Sequence, residues 1–248
     1  MKALLKSILA KCGYKLVLND PTKVLLDRGE TSHGRRVQLI HEAGVQVVLD
    51  VGAHMGWYAA DLRTFGFTGK IISFEPQTVP YQELRDRASR DVGWSAENFA
   101  LGDADTTTTL HLSESRESSS ILDILPKHVE ALPGSRVLGS EEIQVFRLDS
   151  ILSRYADPQD KVFLKLDVQG FEKKVLEGAG GCMGQICGIQ LEMSLKPLYE
   201  GESLFSELYS EMESEGFHLA WVEPGFRDEK TGELLQLDGI FIRPTNRK

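Results

Sequence analysis

Short apolar runs alternate with polar, helix-period segments over residues 45–100, and the alternation returns after residue 160. Val47-Val48-Leu49-Asp50-Val51 is apolar but for its acid, which predicts a strand over 46–51 covered on both faces. A crossover helix over 57–65 follows, then a strand over 70–74. A helix over 79–90 comes next, with Pro80 in its first turn where a missing N–H is tolerated, and then a strand over 95–100. This βαβαβ order predicts a parallel, doubly wound sheet. The rhythm then breaks. Residues 106–112 are threonine-rich and alternate, as do 141–148, and between them lie a serine cluster at 113–120, Pro126, Pro133 and Gly134. The segment 104–149 therefore reads as an antiparallel β insertion whose loop crosses the ligand cleft, acting as a lid. Regular alternation resumes with a strand over 162–167, a helix opening at 171–176 and a strand over 188–193. A helix over 204–215 and two final strands, 217–222 and 239–243, complete it. A closing antiparallel hairpin separates this sheet from an all-parallel dinucleotide sheet. Residues 1–44 form an N-terminal helical extension, with one helix near 35–43 and an amphipathic one within the first eighteen residues; 45–248 form the main domain.

The end of the first strand carries chemistry. Gly52 permits a sharp turn, and the small Ala53 and Gly56 permit close approach of a ligand. Glu75, in Phe74-Glu75-Pro76, falls at the tip of the second strand, where a carboxylate can accept both hydroxyl hydrogens of a ribose. The dinucleotide fingerprint G-x-G-x-x-G is broken: His54 holds its second glycine position and Trp57 its third. A pyrophosphate needs those glycines, whereas S-adenosylmethionine has no phosphate, and its cationic tail suits an acid such as Asp50. The loop alone is also what an ordinary strand-to-helix turn looks like. Glu75 tips the reading to S-adenosylmethionine.

Lys165 and Asp167 lie two apart on a strand expected to be central, so they share a face. Two charges there are costly unless a partner or a cleft accepts them. One reading is an ion pair closing the sheet end. The other makes Asp167 a general base at the acceptor hydroxyl, with Lys165 neutralised by Glu192 or by Asp50, and with His54 and His111 as competing bases. Glu172, opening the next helix, suits the helix dipole whether or not it has a further role.

Composition narrows the partners. The 248 residues include 28 basic and 37 acidic side chains, a net charge of −9, which argues against a nucleic-acid binder. Cys12, Cys182 and Cys187 make no C-x-x-C pair and read as reduced thiols of a cytoplasmic protein, with no metal site expected. No stretch reaches membrane-span length, and a basic surface helix at the N-terminus is the weaker alternative to a helix capping the sheet. Oligomeric state leaves no mark on the sequence.

The segments VVLDVGAHMGWYA, ISFEP, NFALGD, SSSIL, VFRLDSIL, FLKLDVQGFEKKVLEGA and IQLEMSLKPLYEGE, in this order over residues 45–202, resemble the FkbM family of S-adenosylmethionine-dependent methyltransferases. The resemblance implies a Rossmann-like class I sheet, mostly parallel. It implies O-methylation of a hydroxyl on a natural product or on a sugar of a surface glycan. It puts Asp50, Gly52, Ala53 and Gly56 beside the methionine part of the cofactor, Glu75 on the ribose, and Asn98, Ala100 and Leu101, at the end of strand three, along the adenine. Ser119 and Ser120 are expected against cofactor or acceptor. The competing classes are a non-catalytic cofactor-binding module within a biosynthetic complex and a nicotinamide-dependent oxidoreductase.

Overall fold

The computed structural model describes residues 31–244. The expected helix within the first eighteen residues, and Cys12, lie outside them. In chain order the elements are α1 (Ser32–Glu42), β1 (Val47–Val51), α2 (Trp57–Thr64), β2 (Lys70–Phe74), α3 (Thr78–Ala88), β3 (Trp94–Glu97), β4 (Ala100–Leu101), β5 (Thr106–Ser113), α4 (Pro126–Ala131), β6 (Val137–Phe146), α5 (Leu148–Ile151), β7 (Val162–Leu166), α6 (Glu172–Gly178), β8 (Ile186–Ser194), α7 (Phe205–Ser214), β9 (His218–Pro224) and β10 (Gln236–Ile242).

Seven strands form one sheet in the order β3-β2-β1-β7-β8-β10-β9. The first five are parallel, and β10 runs antiparallel to both β8 and β9. All five residues of β1 and of β7 are buried, as expected of strands covered on both faces. Along β1, Val48 faces the layer of α1, α2 and α3, where Ile40, Leu62, Leu84 and Phe163 pack. Leu49 and Val51 face the opposite layer, with Ile151, Leu176, Leu208 and Met212. Each such fully buried aliphatic or aromatic side chain contributes about 1.5–3 kcal/mol through the water it sheds.

Three boundaries differ from the sequence-based expectation. The third strand stops at Glu97, and Ala100–Leu101 join a second sheet, β4-β6-β5, whose other two strands pair antiparallel. The cause is Asn98, whose side-chain amide donates to the carbonyls of Glu75 (2.9 Å) and Pro76 (3.0 Å) and bends the chain away from β2. The insertion sheet therefore begins before residue 104. Its strand β6 also starts earlier than expected, at Val137. Finally, the helix expected near 35–43 begins earlier, at Ser32. Thr31 caps it by accepting from the Gly34 N–H (3.1 Å), and Val37, Leu39 and Ile40 enter the sheet's own core. None of the helices among the described residues is long and apolar enough to cross a membrane.

Candidate active site

One row of side chains organises the carboxyl ends of the central strands. Strand register aligns Ser73 with Asp50, Asp50 with Lys165, and Lys165 with Gln190, so four polar residues on β2, β1, β7 and β8 lie side by side. Each finds partners. Ser73 receives the Trp94 indole N–H (3.0 Å) and donates to Asp50 (2.9 Å). The Lys165 ammonium lies 3.3 Å from Asp50 and 3.4 Å from Asp167, and donates to the carbonyls of Gly52 (3.0 Å) and Val51 (3.3 Å). Gln190 accepts from the Tyr58 hydroxyl (3.0 Å) and donates to Asp238 (3.1 Å). Satisfaction on this scale is what makes buried charges tolerable. The two aspartates hold the Lys165 ammonium firmly charged although burial opposes it.

Above this row opens a cavity of about 420 Å³, within the size range of small-molecule and cofactor sites. Of the residues singled out from sequence, Gly52, Ala53, His54, Glu75, Pro76, Ala100, Leu101, Ser119, Lys165 and Asp167 line it. Asp50, Gly56 and Asn98 do not. Asp50 is wholly buried beneath the floor, its carboxylate spent on Ser73 and Lys165. Asn98 stands behind Glu75 and shapes its backbone. Gly56 faces the protein: in its left-handed conformation (φ 82°), a Cβ would fall 2.7 Å from Leu84 and 2.8 Å from Trp94. Gly52 likewise admits the protein's own chain, since a Cβ there would lie 1.8 Å from the Asp167 carbonyl oxygen. Gly52 thus makes the expected sharp turn and still lines the cavity, while the room that Gly56 leaves is filled by the protein itself.

The loop after β1 needs positive φ at residues 52, 54 and 56, and His54 (φ 48°) supplies the middle one, as histidine tolerates better than most side chains. Its backbone N–H donates to Glu75 (2.7 Å), whose other oxygen accepts from Gln77 N–H (2.8 Å). Burial pushes the Glu75 carboxyl up to about 7 against these two bonds. The His54 imidazole is lowered by burial and so is neutral near pH 7, and its Nε2 has no partner. Ser119 donates to Gln77 (3.1 Å) and accepts from Ser113 N–H (3.1 Å), fixing the insertion loop over the cavity. Arg116, Glu117 and Ile121 of that loop complete the wall. His111, on β5, pairs instead with Asp123 (3.3 Å) and is no part of the cavity lining.

At the tip of β7, Asp167 keeps 39% of its side chain exposed and accepts from the Gln169 amide (2.8 Å). Glu192 is half-buried on the cavity wall and accepts from Gln169 (2.7 Å) and Gln236 (3.1 Å); desolvation and its acidic neighbours hold its carboxyl well above the usual range. Glu192 is therefore not the partner of Lys165, and Asp50, the alternative, is. Asp238, the cross-strand neighbour of Glu192, is pushed up to about 6, chiefly by burial. Glu172 accepts from Val168 N–H (3.0 Å) and Gly170 N–H (3.4 Å), a structural use. Sequence reasoning missed Arg36, Tyr58, Gln169, Gln190 and Asp238 as lining residues. Arg36 reaches the cavity from α1, paired with Glu223 (2.9 Å) and stacked 4.8 Å from the Tyr58 ring centroid. Gln190 and Glu192 carried a readable signal: two polar residues, two apart, in an otherwise apolar strand.

Five parallel strands closed by an antiparallel pair, with the cavity at their carboxyl ends, define a class I methyltransferase sheet. The chain belongs to the FkbM methyltransferase family, whose domain matches residues 50–219. A protein from Thermobifida fusca YX assigned as a methyltransferase shares the fold at TM-score 0.50 and 11% identity, over 90% of this chain and 82% of that one. Magnesium protoporphyrin IX methyltransferase from Synechocystis PCC 6803 aligns at TM-score 0.46 and 11% identity, over 98% and 97%. No curated protein matches the chain. Family membership makes the protein an S-adenosylmethionine-dependent methyltransferase and sets aside the nicotinamide reading.

Proposed function

We propose that the protein O-methylates a hydroxyl of a sugar or of a natural product, with Asp167 taking the hydroxyl proton. The observation that carries this reading is the Asp167 carboxylate. It is half-exposed at the tip of β7, steadied by Lys165 and Gln169, and set beside the glycine loop that begins the cofactor wall. The cavity fits S-adenosylmethionine. Glu75, its two oxygens each holding one backbone N–H, keeps a second lone pair on each for a ribose diol. Phe74, Ala100, Leu101, Leu110 and Ile121 offer an apolar wall for the adenine, and Gly52 and Ala53 the loop for the methionine part. The bound cofactor supplies an electrophilic methyl group on a good leaving group. What this chain then adds is alignment and a proton acceptor. Asp167 accepts the proton at a carboxylate oxygen as the hydroxyl becomes an ether. Lys165, engaged by four oxygens, acts through Asp167 rather than on the acceptor.

The acidic end, with Asp167, Glu192 and Asp238, disfavours polyanionic acceptors such as RNA. A panel of neutral glycosides and hydroxylated metabolites, incubated with methyl-labelled cofactor, tests the reading. Label is expected in an acid- and base-stable ether. Labelled amine or carboxyl products, or efficient labelling of RNA at physiological salt, would overturn it. Binding of cofactor without transfer to any hydroxyl would favour the non-catalytic module instead.

A further inference from the structure

Gln169 stands in the turn between β7 and α6 with φ 56°, a left-handed conformation few glutamines adopt. Such an outlier persists only when its surroundings hold it. Here they hold it at three points. Its carbonyl accepts from the Ser120 hydroxyl (2.7 Å), which ties the turn to the insertion loop. Its side-chain oxygen accepts from the Tyr199 hydroxyl. Its amide nitrogen donates to Asp167 Oδ1 (2.8 Å) and to Glu192 Oε2 (2.7 Å).

These contacts fix which way the amide points. Tyr199 is wholly buried, and burial with nearby carboxylates keeps its phenol protonated, so it serves as a donor. The amide oxygen must face it. The two N–H groups then face two carboxylates, one each. Gly170 completes the arrangement: a Cβ there would lie 3.0 Å from Tyr199, so glycine lets the ring stand against the turn.

We propose that Gln169 is a positioning residue that holds Asp167 and Glu192 as one unit aimed at the acceptor, with Tyr199 setting the orientation of its amide. This rests on the reading of Asp167 as the proton acceptor. Two carboxylates this close repel, and a neutral donor shared between them stabilises the ionised form of both without supplying a competing charge. The other groups facing Glu192 are Lys165 from β7, Asp238 and Gln236 from β10, and Glu172 from α6. None of these hydrogen-bonds both carboxylates, as Gln169 does.

The full chain, labelled with ¹³C at its Glu and Asp carboxyl carbons, tests this by NMR titration, with Glu192→Gln assigning the Glu192 resonance. Gln169→Met keeps the length and removes the amide. It should move the Glu192 titration upward by roughly one pH unit or more, a tenfold change in proton affinity. Tyr199→Phe should move it the same way by less. Affinity of Tyr199→Phe, which lies outside the cavity lining, for S-adenosylmethionine should stay within about twofold of the parent by calorimetry, well under the tenfold scale. A Glu192 titration unmoved in both variants overturns the proposal, as does loss of cofactor affinity with no shift. Should Gln169→Met fail to fold, Tyr199→Phe decides alone: no upward shift overturns the proposal. The titration needs no acceptor. A shift with no hydroxyl methylation therefore sinks the functional reading and leaves the positioning role standing, and the reverse result does the opposite.

Discussion

Glu75, buried, and Glu192, half-buried, are carboxylates on the wall of one cavity, yet they are held by different means. Backbone N–H groups of His54 and Gln77 grip Glu75. Side-chain amides of Gln169 and Gln236 grip Glu192, which also faces Asp167 and Asp238. Backbone donors are set by the fold and do not change with sequence. Side-chain donors can be exchanged one residue at a time. The Glu75 end suits a ligand that stays the same, the cofactor, and the Glu192 end suits an acceptor that varies across a family.

The largest expected effect falls on the exchangeable end. Asp167→Asn should lower turnover by roughly a hundredfold or more while cofactor affinity changes little, since the amide keeps the shape and loses the base. Steady-state kinetics with calorimetry reads both. Normal turnover would move the base to His54 or Glu192. On the fixed end, Glu75→Ala should weaken cofactor binding by about 1.5–3 kcal/mol and also lower stability, because two backbone N–H groups lose a charged acceptor. Unchanged affinity would place the ribose elsewhere and dissolve the contrast.

A pH effect of middle size follows from the raised carboxyls. Glu75 and Glu172 titrate near 7 in the folded protein against 4.5 unfolded, and Asp238 near 6 against 3.8. The folded state therefore binds more protons across this window, and stability falls as pH rises through it. His128, lowered by burial to about 4 from 6.5, works the other way but stops doing so above about pH 6.5. Melting temperature without ligand should accordingly decline as pH rises from about 6.5 to 7.5, where unfolded-state histidines have largely lost their protons and the raised glutamates are still losing theirs. A melting temperature that climbs there would mean that the buried acids keep their charge. The smallest effect belongs to Asp238→Asn. It removes one like charge from Glu192 and should lower the Glu192 titration while changing stability by less than about 1 kcal/mol, read by NMR and thermal melts.

Much of this was legible in the chain. Apolar runs mark β2, β1, β7 and β8 because a parallel sheet covered on both faces demands them. Lys165 and Asp167 stood out because charge in such a run is costly. Strand three was misjudged through Phe99-Ala100-Leu101, whose apolar character continues past a bend made by the tertiary bonds of Asn98. The start of β6 was missed because Val137 and Leu138 are exposed and break the alternation. Arg36 gave no signal: an arginine on an amphipathic helix looks like a solvated one until Tyr58 and Glu223 are brought to it. Asp50 and Gly56 stand out for a sound reason, and in the fold Asp50 meets Ser73 and Lys165 while Gly56 makes room for Leu84 and Trp94. A sequence shows that a small or charged residue is needed, and only the fold shows which side needs it.

The contact at Gly52 sets a tolerance for the whole machine. Because this residue lacks a Cβ, the backbone of the cofactor loop rests against the carbonyl of Asp167. On the proposed function, the part that would seat the methyl donor and the part that would receive the acceptor's proton share one reference surface. Their separation is gauged once, when the chain folds, and is not renegotiated each time a substrate arrives. An in-line displacement forgives little error in distance or angle. Substrates can be exchanged over evolution at the far wall while the gauge stays as it was cut.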